Sequence, residues 1–193
     1  MLTAHAHAGT APLGIAHARG ARPLTTALMV LAFAALTAAC AQVRVHSPLS
    51  PVPFTMQTFA VGLAGLAMPA PAAVLSMAIY VLAGVCGAPV FSGGGSGVAH
   101  LFAATGGYLV SYPLAAALAR AALRSDRGGR FGRAFMAMLA AHAAVFALGV
   151  PWLKAATGVP WSEALFQGFV IFLPSTIVKS LLGAAVVAPR RAR

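Results

Sequence analysis

Six apolar stretches, residues 24–43, 54–68, 72–86, 106–123, 134–150 and 163–188, take up most of this chain and leave little polar sequence between them. A hydrocarbon layer about 30 Å thick is crossed by about twenty helical residues. The pattern therefore predicts an all-α, polytopic membrane protein with six transmembrane helices. The stretches at 54–68 and 72–86 are short for a full crossing, so their ends must tilt or draw on residues 51–54 and 87–91. Composition closes off the soluble alternative: 8% of the residues are charged and only Asp126 and Glu163 are acidic, too few to build a water-facing shell. The formal charge of +11 would otherwise suggest an anionic polymer as partner. Here the basic residues punctuate apolar segments instead of forming a stripe with interleaved aromatics, so no nucleic-acid surface is expected.

Basic residues also orient the chain. Six crossings put both termini on one side, together with Arg19, Arg22, Arg120, Arg124, Arg127, Arg130, Arg133, Arg190, Arg191 and Arg193, against Arg44 and Lys154 on the other. That asymmetry places both termini in the cytoplasm and the protein in the inner cell membrane as a multi-pass protein. Residues 1–18 read as a disordered tail, 19–189 as the membrane domain and 190–193 as a basic tail. The segment from Arg19 to Cys40 also resembles a signal peptide with a lipoprotein cleavage site. Its apolar run of twenty residues exceeds the usual seven to fifteen, and Thr37 occupies a position that usually holds an aliphatic residue, so it is read as a span. His5 and His7 lack further ligands at metal-binding spacing, and Cys40 and Cys86 read as small residues within the spans, so no metal site is expected.

Polar residues inside the apolar stretches are the functional leads. Lys179 lies in the last one, and a cation at bilayer depth costs about 3 kcal/mol on insertion scales, so it marks a substrate or ion site. The alternative is snorkelling toward the cytoplasmic interface, across roughly nine residues or about 13 Å of helix. Ser175, Thr176 and Lys179 share one helical face beneath Pro174, which removes a helical hydrogen bond and frees a carbonyl. Thr105, Tyr108, Ser111 and Tyr112 form a second polar stripe, beside the glycine-rich segment at 92–97. Pro51-Val-Pro-Phe-Thr-Met-Gln57 gives a stiff turn followed by Thr55 and Thr58, read as a rigid lid over a pocket mouth. Either stripe alone could join helices. Together with a buried cation and two proline breaks, they point to one binding cavity opening outward. No Gly-Lys-Ser or Gly-Lys-Thr follows the glycines, so the chain has no phosphate loop of its own.

Five segments in order, Pro51-Val-Pro-Phe-Thr-Met-Gln57, Gly87-Ala-Pro-Val-Phe91, Thr105-Gly-Gly-Tyr-Leu109, Gly149-Val-Pro-Trp-Leu153 and Phe172-Leu-Pro174 with Lys179, resemble the BioY family, the biotin-binding S components of energy-coupling factor transporters. The resemblance covers about residues 24–188. It implies a six-helix protein that captures biotin from outside, with a transmembrane coupling protein and cytoplasmic ATP-binding subunits as partners and no cofactor or catalytic residue of its own. On the resemblance, Lys179, Thr176, Ser175, Tyr108, Thr105, Gln57 and Thr55 are the candidate substrate-binding residues. Small residues on the first helix, Ala34 with Ala38 or Ala35 with Ala39, are candidates for docking the coupling protein. Two departures stand out: Ala103-Ala104 replaces the family's Gly-Pro, and Ser175-Thr176 replaces its Gly-Asp. In the family that aspartate and the lysine bind the ureido ring, so a neutral Thr176 predicts weaker biotin binding or a related heterocyclic acid as ligand. Two other classes compete. Gly94-Gly-Ser96-Gly97 with His142 matches the nucleophile pattern of an intramembrane serine protease. An ion-coupled carrier would need a carboxylate within the membrane, which neither Asp126 nor Glu163 supplies.

Overall fold

The computed structural model describes residues 23–124 and 129–187. The tails expected at 1–18 and 190–193 lie outside the described residues, as do His5, His7, Arg19, Arg22, Asp126 and Arg127.

Helix α1, Pro23–Gln42, opens on a proline whose missing N–H costs nothing in a first turn. Val30, Ala34, Thr37 and Ala41 form its buried stripe at helical spacing, while Leu24, Leu28 and Leu31 are more than half exposed, as suits a face turned to lipid. The chain then forms a hairpin, β1 (Arg44–Ser47) and β2 (Ser50–Thr55), antiparallel with Arg44 opposite Thr55 and Val45 opposite Phe54. The all-α expectation is corrected here, and so is the stiff turn: Pro51 and Pro53 sit in a strand with only one strand beside it, where a missing N–H is tolerated.

Helix α2, Gln57–Ala67, is the central element. All of its residues from Ala60 to Leu66 are buried, and it packs against α1, α3, α6, α7 and α9. At about 16 Å it is far shorter than a bilayer core. The hairpin lengthens the path at one end, and Pro69 and Pro71 begin α3 (Ala70–Val85) at the other. A segment of turns carries the chain past a short 3-10 turn at Ser92–Gly94 and the one-turn helix α4 (Val98–Phe102).

The two later stretches carrying the polar stripes are both broken. Residues 106–123 divide into α5 (Gly106–Val110) and α6 (Tyr112–Leu123), because Pro113 has no N–H to continue the ladder. The freed backbone is partly served by Ser111, whose hydroxyl donates to Tyr108 O at 2.6 Å. Residues 163–188 divide into α8 (Trp161–Gly168), a 3-10 turn at Val170–Phe172 and α9 (Leu173–Val187). Pro174 therefore stands in the first turn of α9 and not inside a continuous helix, and the neighbouring Phe172 carbonyl is taken by the Ser175 hydroxyl at 2.9 Å. Between these pieces runs α7, Arg130–Thr157, which extends well past the expected 134–150, continues through Pro151 and ends at Gly158 with φ +74°.

Among the described residues three segments are long and apolar enough to cross a membrane, Pro23–Gln42, Arg130–Thr157 and Trp161–Val187, and α2, α3 and α6 are shorter apolar helices. α2 crosses α6 closely, where a Cβ on Gly65 would collide with the Ala116 carbonyl and lie 2.6 Å from Ala119 Cβ. Gly65→Val is expected to lower the stability of the detergent-solubilised protein by about 1–3 kcal/mol, read as a lower thermal midpoint. Gly132→Ala, whose added Cβ meets nothing within 4 Å, serves as the control and leaves the midpoint unchanged or slightly raised.

Candidate functional site

A cavity opens at the hairpin end of the helices. Its walls come from β2, the start of α2, α5 and α6, the middle of α7, and the junction leading into α9.

The apolar walls are aromatic. Phe172 stacks obliquely on Phe54, with ring centroids 4.3 Å apart, and Phe146 meets the edge of Phe169 at 5.1 Å. The Tyr108 ring lies against Gly149 of α7, where any side chain would collide with it, and its hydroxyl donates to Gly168 O at 3.0 Å. Tyr108 thus ties α5, α7 and α8 together, presenting its ring to the cavity and spending its hydroxyl on the protein.

The polar end is built around Lys179, which is 8% exposed. Its ammonium donates to the Thr55 carbonyl at 2.7 Å and to the Thr58 hydroxyl at 3.3 Å. His142 completes the group: Nδ1 lies 2.8 Å from Met138 O and Nε2 lies 3.2 Å from Thr58 Oγ1. A carbonyl only accepts, so Nδ1 carries the proton and Nε2 of the neutral ring is an acceptor. Thr58 then donates to His142 and accepts from Lys179, which fixes the direction of the chain from Lys179 through Thr58 and His142 to Met138. Two of the three ammonium protons are occupied, and the third has no protein partner among the described residues. Among the described residues no carboxylate lines the cavity.

All seven candidate substrate-binding residues, Lys179, Thr176, Ser175, Tyr108, Thr105, Gln57 and Thr55, lie in the cavity wall. Their polar groups differ in availability. Ser175 donates to Phe172 O. Gln57 accepts from the Thr55 hydroxyl at 2.8 Å and donates to Tyr80 OH, so both ends of its amide are engaged with the protein. Thr55 serves Lys179 through its carbonyl, not its side chain. Of the seven, Thr176, 5% exposed, and Thr105 are those whose hydroxyls make no such bond to the described protein. Ser111 is buried but does not line the cavity. Sequence reasoning considered His142 only as the partner of Ser96 and gave Thr58 no role beside Lys179. For His142 the signal was the one that singled out Lys179, an ionisable residue within an apolar stretch.

The other candidates separate cleanly. Of the docking alanines, Ala34 is buried and Ala38 is half-buried against the core, whereas Ala35 and Ala39 are exposed. Ser96 is exposed and His142 is engaged by Thr58 and Met138, so the protease pairing of Ser96 with His142 is not formed. Among the described residues no cluster of three metal-ligating side chains occurs.

Known proteins resemble this chain in sequence and in fold. "Biotin transporter BioY2" of Lactococcus lactis is 37% identical over 135 residues, covering 70% of this chain and 74% of that protein. "Biotin transporter BioY" of Thermotoga maritima is 34% identical over 143 residues, covering 74% and 82%. A crystal structure described as the S-component for biotin from an ECF-type ABC transporter shares the fold, with a TM-score of 0.77 over 86% of this chain and 89% of that one, at 20% identity. The BioY family model matches residues 14–193, and with these relatives it shows that the chain belongs to the BioY family.

Proposed function

We propose that this protein is the substrate-binding component of a biotin uptake system, taking biotin from the outer side of the membrane and relying on separate subunits for energy. The observation that carries this reading is the Lys179 end of an otherwise apolar, aromatic-walled cavity. Biotin is a fused bicycle with a polar ureido edge, an apolar thioether ring and a methylene tail ending in a carboxylate. The free ammonium proton of Lys179 suits the ureido carbonyl, and the Thr176 hydroxyl suits a ureido N–H. The aromatic walls suit the sulfur ring and the methylenes. Thr176 is a neutral acceptor, roughly half as strong as the ionised one in the family pattern.

The proposed topology has six crossings, with α2 and the hairpin, α3, the α5–α6 pair and the α8–α9 pair counted as one each beside α1 and α7. Both termini then lie in the cytoplasm, with ten Lys and Arg residues on that side against Arg44 and Lys154 at the cavity end. The cavity consequently opens outward, and the protein belongs in the inner cell membrane. The sequence carries no phosphate loop, so the partners are a transmembrane coupling protein and cytoplasmic ATP-binding subunits, docked along α1 through the exposed pair Ala35 and Ala39.

Titration of biotin into the purified protein, followed by calorimetry or by the fluorescence of Trp152 and Trp161, is expected to give saturable one-site binding. Lys179→Ala removes a charged hydrogen bond worth about 1.5–3 kcal/mol, so its affinity should fall roughly 10- to 150-fold. Absence of biotin binding by the wild-type protein would overturn the reading. Thr58→Val keeps the shape of the side chain but leaves Lys179 and His142 each short of a partner. It is expected to cost about 1–3 kcal/mol of stability and to weaken biotin binding, and Thr58→Ser should restore both.

A further inference from the structure

Tyr112 is a polar residue of the cavity wall that the bonds described above leave without a task. It opens α6, one residue before Pro113, is 3% exposed, and lines the cavity. Its ring stacks on that of Tyr80, with centroids 6.1 Å apart and planes 26° from parallel. The two phenols are alike in burial and differ in what their hydroxyls do. Tyr80 donates to Val90 O at 3.2 Å and accepts from Gln57 Nε2, so its hydroxyl is spent on the protein. The Tyr112 hydroxyl makes no hydrogen bond to the described residues. A phenylalanine would fill the same space and keep the stacking without carrying a buried hydroxyl, which is costly to leave unpaired. The hydroxyl is therefore accounted for by something that enters the cavity.

Placement of the other free groups narrows what it meets. Ser92, His100 and Thr105 also line a second cavity on the hairpin side, so they stand toward the mouth, whereas Tyr112, Thr176 and Lys179 line the inner cavity alone. Two lines of contact then lead to the start of α2. Thr58 accepts from Lys179 of α9, and the adjacent Gln57 donates to Tyr80, on which Tyr112 of α6 is stacked. Lys179 and Tyr112 thus approach the start of α2 from two different helices, each with one donor hydrogen to give. A carbonyl oxygen has two lone pairs and accepts from both.

We infer that the Tyr112 hydroxyl is a ligand-binding group that donates to the same carbonyl oxygen as Lys179, and that the pair selects for a cyclic urea head. This rests on the biotin reading above and deepens it by adding a specificity-determining residue on α6. A head without that oxygen would leave two buried donors unpaired at once, which rejects an analogue far more strongly than a lost apolar contact does.

The test measures binding of biotin and of dethiobiotin, which keeps the cyclic urea and lacks the sulfur, to the wild-type protein and to Tyr112→Phe by calorimetry. The variant should weaken both ligands by the same factor, about 3- to 10-fold. Infrared difference spectra with biotin labelled with carbon-13 at the ureido carbon read the bond itself: the bound carbonyl band should move to higher frequency in Tyr112→Phe, because an oxygen that loses a donor regains double-bond character. Without ligand, the thermal midpoint of Tyr112→Phe should be unchanged or raised, whereas Tyr80→Phe, which gives up two bonds within the protein, should lower it. A loss confined to biotin would assign the hydroxyl to the sulfur, and an unchanged affinity or carbonyl band would leave it no part in binding; either result overturns the assignment while biotin binding stands. Failure of the wild-type protein to bind either compound would overturn the biotin reading itself, and this assignment with it.

Discussion

An ammonium group inside a bilayer protein must find its acceptors in the protein, and the organisation of this chain around Lys179 follows from that need. Helices are poor providers, because each carbonyl beyond the last turn is already committed to its own ladder. Thr55 escapes this limit: it ends β2, directly before the Met56 cap of α2, so its carbonyl lies outside the helical ladder and accepts from Lys179. The hairpin is therefore more than a connection. By ending where it does, it fixes the start of α2, the most buried helix, and sets Thr58 one turn further on as the second acceptor.

The same accounting explains how few polar groups remain for a ligand. Tyr108, Ser175, Gln57 and the Thr55 hydroxyl all face the cavity, yet each spends its donor on another part of the protein. Those bonds hold α5 to α8, close the first turn of α9, and join β2 to α3 through Tyr80. A wall of satisfied groups is close to apolar from the standpoint of a ligand. Recognition inside the cavity then falls to the remaining ammonium proton and the hydroxyls of Thr176, Thr105 and Tyr112, the arrangement expected of a site that binds mainly by apolar contact and orients by a few polar ones.

How much of this could be read from the sequence depended on whether a residue announces its own cost. Lys179 did, because an unpaired charge in hydrocarbon is expensive wherever its partners lie. The positions of the apolar stretches did too, since hydropathy is a sum over residues. What the sum does not register is where the backbone ladder is interrupted. Pro113 and Pro174 mark the breaks in residues 106–123 and 163–188, but the average apolarity of those stretches hides them. Pro151 misleads in the opposite direction, since α7 continues through it to Thr157. The hairpin was hidden for a different reason: two prolines within three residues suggest a turn, and strand pairing depends on partners outside that segment, such as Arg44 opposite Thr55. The link between His142 and Thr58 was hidden because the two lie 84 positions apart in sequence.

A buried lysine with no carboxylate beside it among the described cavity residues poses a problem of charge balance that the geometry answers in part. Thr58 links the ammonium to a neutral imidazole, and His142 in turn donates its Nδ1–H to the Met138 carbonyl, so two ammonium protons and the imidazole are served without any group carrying negative charge. Such a relay costs less to desolvate than an ion pair with one poorly placed partner, since only one ion is buried. It also leaves the cavity with a net positive field that nothing on its walls cancels, and low-dielectric walls concentrate that field at the mouth. An empty cavity of this kind attracts anions in general. Discrimination among them must then come from shape: the aromatic walls admit a bicyclic head that small hydrated anions cannot replace, because only the head recovers by contact what the cavity loses in water.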